Sequence, residues 1–185
     1  MKRIFIIHGY KSFPTDCWFP WLKDELIKRG FTVYVPRFTN SHEPKFEKWL
    51  ETIREAVGIA DENTYFIGHS LGAIAIIRYL QTLKKEKIGG AVFVAGRVIF
   101  RPRKTSAISG FFETPIRWSN VKKVTGKTIG VYSIDDPFVS IENGRLLEQK
   151  LGTKLVLEKN KGHFSRDDAV LKLPIVLKNI LSIMN

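Results

Sequence analysis

Apolar runs of strand length recur along the chain at Arg3 to His8, Phe31 to Pro36, Thr64 to Gly68, Ala91 to Ala95, Thr128 to Ser133 and Lys154 to Leu157. Between them lie helix-like segments, from about Trp18 to Arg29, Pro44 to Val57, Leu71 to Lys84, Ile141 to Leu151 and Pro174 to Met184. Near-continuous apolar runs are what strands show when both faces are covered. The alternation therefore predicts an α/β fold: a six-stranded, mainly parallel, doubly wound sheet with helices on both faces. Gly30 supplies a C-terminal stop for the first helix. Pro174 suits the first turn of the last, which is expected to start near Lys172. The stretch Val98 to Lys123 breaks the alternation with Pro102, Gly110 and Pro115 and predicts a long loop plus a short helix over one edge of the sheet.

The chain has 185 residues, 44% of them hydrophobic, which suits a single domain over 1–185 with a full core. No segment reaches the 18 or so apolar residues of a membrane span. Only Ile4, Phe5, Ile6 and Ile7 follow the N-terminal charges, too few for a signal-peptide core, so the expected location is the cytoplasm. The single Cys17 excludes an internal disulfide and, among Trp18, Phe19 and Trp21, reads as a packing residue. The net charge of +12 raises the question of a nucleic-acid partner. Lys and Arg crowd in Arg97 to Lys104, Lys84 to Lys87 and Lys122 to Lys127, but in separate loops and helix ends. No zinc-finger spacing, helix-turn-helix signature or aromatic-interleaved basic strand accompanies them. The charge reads as a solvated basic surface, and Arg97, Arg101 and Arg103 also fit an acidic substrate near the face that carries the chemistry.

That chemistry is suggested by Gly68-His69-Ser70-Leu71-Gly72, which joins the strand Thr64 to Ile67 to the helical run from Ala73. Gly-x-Ser-x-Gly between a strand and a helix is the nucleophile elbow, where the residues flanking the serine must be small because the two backbones nearly touch. The alternative is a glycine-rich turn whose serine caps the helix. A serine hydroxyl needs a base to take its proton and an acid to hold that base in the right tautomer. In α/β-hydrolases these follow in the order Ser, Asp or Glu, His. The fifth strand runs into Asp135-Asp136-Pro137-Phe138-Val139, and the sixth is followed by Gly162-His163-Phe164. In an open parallel sheet all of these fall at the carboxyl ends of strands, where ligands bind. Asp136 is favoured over Asp135 as the acid, because an apolar residue three positions on packs back into the sheet.

His69, as the sequence neighbour of Ser70, is expected to point away from it. His8 lies in the first strand's exit and His42 in a polar loop, and no histidine pair has metal-ligand spacing. Asp167 and Asp168 read as N-terminal caps of a following helical turn. The oxyanion hole is expected from the backbone N–H groups of Leu71, after the nucleophile, and Tyr10, in the loop after the first strand. Phe13, Trp18, Phe111, Phe112, Trp118 and Phe138 are candidates to wall an acyl pocket, or simply core and edge packing.

These residues resemble those of the small serine hydrolases of the retinoblastoma-binding-protein-nine and YdeN type. The likeness rests on Gly68-His69-Ser70 with Gly72-Ala73-Ile74-Ala75, Arg78-Tyr79, Ser109-Gly110-Phe111-Phe112 with Pro115 and Trp118, Asp135-Asp136-Pro137-Phe138, and Gly162-His163-Phe164. It implies a compact α/β-hydrolase without a large cap domain and places the family's triad on Ser70, Asp136 and His163. Members often carry Pro-Gly after the first strand, where this chain has His8-Gly9, and a small residue where it has Leu71. No Leu-x-Cys-x-Glu motif, the basis of the partner binding that named the family, is present. The expected protein is a cofactor-free and metal-free serine hydrolase, monomeric or a small homo-oligomer, acting on small acyl esters or amides. The rival readings are a binding or scaffold protein with vestigial activity and a nucleic-acid binder, whose affinity would fall steeply with salt.

Overall fold

A computed structural model describes residues 1–99 and 106–185 of the chain. Its six strands are β1 (Arg3–Ile7), β2 (Thr32–Tyr34), β3 (Thr64–His69), β4 (Ile88–Val94), β5 (Thr125–Ser133) and β6 (Lys154–Glu158). They form one sheet in the order β2-β1-β3-β4-β5-β6. Every neighbouring pair is parallel, so the sheet is parallel throughout rather than mainly. The helices are α1 (Phe19–Ile27), α2 (Phe46–Val57), α3 (Leu71–Leu80), α4 (Trp118–Val124), α5 (Glu142–Leu151) and α6 (Pro174–Met184).

Side-chain alternation along the central strands sorts the core into two layers. On β1, Phe5 and Ile7 join one layer and Ile4 and Ile6 the other. The first layer is closed by α2, whose Trp49, Ile53 and Val57 recur every four residues, together with α3, α4 and Leu147 of α5. The second is closed by Leu22 and Leu26 of α1 and by Val176, Ile180 and Ile183 of α6. Central α3 is buried along its whole length and shows no amphipathic stripe, as a helix covered on all sides should.

Three boundaries differ from the sequence reading by three residues or more, and others, such as the α6 start at Pro174 rather than near Lys172, by one or two. Both β4 and β5 begin three residues early, because Ile88 to Gly90 pair with Thr125 to Lys127 and backbone pairing needs no apolar side chains. α3 stops at Leu80, where Thr82 Oγ1 bonds the Tyr79 carbonyl and a lysine run turns into solvent. The segment between β4 and β5 carries a short 3₁₀ turn (Ser109–Phe111) before α4. It is tied down by Arg78 of α3, a buried guanidinium that donates to the carbonyls of Phe111, Thr114 and Pro115. Those bonds offset the cost of burying the charge and pull the segment onto α3.

Candidate active site

Because all strands run the same way, the loops after β1, β3, β4, β5 and β6 open on one edge of the sheet. Ser70 stands at the β3–α3 junction with φ 52° and ψ −115°, outside the regions comfortable for a non-glycine residue. Its surroundings enforce that turn. A Cβ on Gly72 would lie 2.2 Å from the Ile7 carbonyl oxygen, and one on Gly68 would lie 3.0 Å from the Ala73 backbone. Only glycine lets β1, β3 and α3 approach so closely, and the turn thrusts the Ser70 side chain into the open edge.

His163, in the loop after β6, reaches Ser70 Oγ with Nε2 at 2.9 Å. Its Nδ1 lies 2.8 Å from Asp136 Oδ2. A carboxylate can only accept there, so Nδ1 carries the proton and Nε2 is left to accept from Ser70. The Asp136 side chain is 1% exposed, and its other oxygen accepts from the N–H groups of Phe138 and Val139. Asp135 turns the opposite way, its carboxylate taking bonds from Ser133 Oγ and the Gly162 N–H. The adjacent carboxylates thus hold different things: one the imidazole, the other the loop that carries it.

Two neighbours of His163, His69 and Asp168, bond its backbone. The His69 ring is centred 5.0 Å from that of His163, and its Nε2 lies 2.8 Å from the His163 carbonyl. The alternation that puts Tyr65 and Ile67 on the α1/α6 face puts His69 there too, at the strand end where the β6–α6 loop crosses. Burial pushes the His69 imidazole down to about 3, so it stays neutral and donates to that carbonyl. Asp168 does not cap a following helix. Its Oδ2 reaches back to the N–H groups of His163 and Ser165 and to Ser165 Oγ. The Ser165-x-x-Asp168 spacing was the available signal, since it is that of a capping box.

A cavity of about 730 Å³ opens over this edge, lined by Tyr10, Phe13, Ser70, Leu71, Arg97, Ile108, Phe138 and His163 among others. Phe138 is 65% exposed and stands edge-on to His163, ring centres 5.3 Å apart. Phe111, Phe112 and Trp118 do not line it. Phe111 is fully buried between Phe46 and Trp49, and the other two pack on the same layer of the core. The Arg78 bonds explain this, because they draw the β4–β5 segment down onto α3. Trp18 is likewise in the core, its indole N–H on the Phe164 carbonyl. Tyr10 and Leu71 both border the cavity, and Leu71, as the first residue of α3, has no carbonyl within the helix for its N–H. Cys17 borders it as well, but burial raises its thiol to about 11 and keeps it protonated. Arg101 and Arg103 lie outside the described residues. Among those residues, no helix is long and apolar enough to cross a membrane.

Comparison with known proteins gives the family and the fold. YdeN of Bacillus subtilis is 31% identical over 176 residues, 95% of this chain and 92% of that protein. Its crystal structure superposes with a TM-score of 0.93, covering 100% of this chain and 99% of that one. The serine hydrolase RBBP9 of Rattus norvegicus is 26% identical over 162 residues, 87% of this chain and 85% of that one. Est1E of Butyrivibrio proteoclasticus shares the fold at 17% identity, with a TM-score of 0.71 over 99% of this chain and 88% of its own. A sequence model of one family, described as serine hydrolase, matches residues 4–182. The chain belongs to the serine hydrolase family and has the α/β-hydrolase fold.

Proposed function

We propose that the protein hydrolyses small acyl esters or amides through an acyl-enzyme on Ser70. The hydrogen-bonded line from Ser70 Oγ through His163 to Asp136 carries this reading. His163 Nε2 takes the Ser70 proton as Oγ attacks the substrate carbonyl, and Asp136 stabilises the imidazolium that forms. The oxyanion accepts from the N–H groups of Leu71 and Tyr10, the first aided by the positive end of α3. His163 then returns its proton to the leaving group, and a water, activated by the same imidazole, releases the acid and restores Ser70. No step calls for a metal or cofactor. Phe13, Leu71, Ile108 and Phe138 are the apolar part of the cavity wall and suit an acyl chain.

The test is a pH profile. A protonated His163 cannot accept from Ser70, so turnover of p-nitrophenyl acetate is expected to rise with pH as that imidazole deprotonates and then to level off. Burial lowers both His8 and His69, the second to about 3, so His69 gains no proton in the neutral range to imitate the inflection. A chelator is expected to change nothing. A profile flat from about pH 5 to about pH 9 with acylation rate-limiting, or loss of activity with chelator, contradicts the mechanism.

A further inference from the structure

Arg97 follows β4 and spans two parts of the site. Its backbone N–H bonds the Ser70 carbonyl, and its guanidinium donates to the Phe138 carbonyl at 2.7 Å. The side chain thus runs along the cavity wall from behind the nucleophile to the loop that carries Asp136. It is half-buried, and burial lowers its affinity for its proton. Yet among the described residues no carboxylate lies within ion-pair distance of it. Asp136, the acid that acts on it, has both oxygens engaged by His163, Phe138 and Val139. Of the other acids of the cavity, Asp16 accepts from Ser12 Oγ and the Phe13 N–H, and neither it nor Asp167 forms an ion pair with Arg97. A guanidinium has five N–H donors in a planar fork, and one bond to a carbonyl leaves most of them for a ligand. Taking such a cation out of water without a counter-charge is costly, and an anion bound beside it removes that cost. Lys11 and Arg166 on the same cavity wall balance Asp16 and Asp167, which leaves Arg97 as the surplus positive charge there.

We propose that Arg97 is the anchor of an anion subsite, so that the preferred substrate is an ester or amide bearing a free carboxylate in addition to the bond cleaved on Ser70. The proposal rests on the hydrolase reading above and narrows its substrate class. The carboxylate seats on the free edge of the guanidinium, which leaves the scissile carbonyl over Ser70 and the intervening methylenes against Ile108 and Phe138.

The test compares p-nitrophenyl hydrogen adipate with its neutral methyl ester, a pair that differs by one charge at the far end of the chain. Wild-type kcat/KM is expected to favour the acid roughly tenfold to a hundredfold, the worth of a charge-assisted hydrogen bond over a neutral contact. That ratio is expected to fall toward one in Arg97→Gln, which keeps an amide N–H for the Phe138 carbonyl, and to be partly kept in Arg97→Lys. Protection of the wild-type protein needs no variant: monomethyl adipate, but not dimethyl adipate, is expected to slow fluorophosphonate labelling of Ser70. Equal turnover of the two esters, a preference that survives Arg97→Gln, or equal protection by the two adipates overturns the subsite and leaves the hydrolase reading standing. Failure to turn over either ester, by protein whose Ser70 ignores the fluorophosphonate, overturns both.

Discussion

Ser70→Ala is expected to lower kcat/KM for p-nitrophenyl acetate by about a thousandfold or more, because triad members act as a unit and what remains is oxyanion-hole and binding catalysis. The substitution removes one hydroxyl and leaves the tight packing around it intact. Gly72 still meets the Ile7 carbonyl, Gly68 still meets Ala73, and alanine bears the positive φ of residue 70 about as poorly as serine does. Far-ultraviolet dichroism and the thermal midpoint are therefore expected to match wild type. Lost activity in a folded variant places the reaction on this hydroxyl, whereas retained activity removes Ser70 from the mechanism.

The second large effect separates two adjacent carboxylates. Asp136→Asn presents an amide where His163 Nδ1 needs an acceptor, and the buried pair can satisfy itself by shifting the imidazole proton to Nε2. His163 then cannot take the Ser70 proton, and a fall in kcat of about ten-thousandfold is expected, the size seen when a triad carboxylate is neutralised without loss of shape. Asp135→Asn keeps an oxygen for the Gly162 N–H and lies in solvent, so a loss of less than about tenfold is expected. The same assay on the two variants, with the pH profile of each, checks this. Greater sensitivity at Asp135 would mean that the loop presents the other carboxylate to His163.

The strands and the elbow were legible in the sequence because each rests on local chemistry. Strands covered on both faces must be apolar throughout, as Ile4 to Ile7 and Phe66 to Ile67 are, and glycines at 68 and 72 answer a close approach of backbones that the motif itself implies. The preference for Asp136 over Asp135 came from Val139, and Val139 is indeed buried. Most of the rest depends on contacts distant in sequence. Nothing near Phe111 or Trp118 tells which side of the β4–β5 segment faces the cavity; that is decided by Arg78, more than thirty residues earlier, through bonds to backbone carbonyls. Adjacency to Ser70 says where the His69 side chain leaves the strand, but not that the His163 carbonyl lies above it. Asp168 was visible only as a possible cap, since a carboxylate that holds a loop and one that starts a helix look alike in sequence.

Whether Ser70 is a nucleophile activated by His163 is read from fluorophosphonate labelling followed by mass spectrometry of the peptide spanning the β3–α3 junction. One adduct is expected, on Ser70, that forms more slowly as pH falls and is lost in His163→Ala. An adduct on another residue, or no adduct from folded protein at a pH where His163 is neutral, would contradict that role for Ser70.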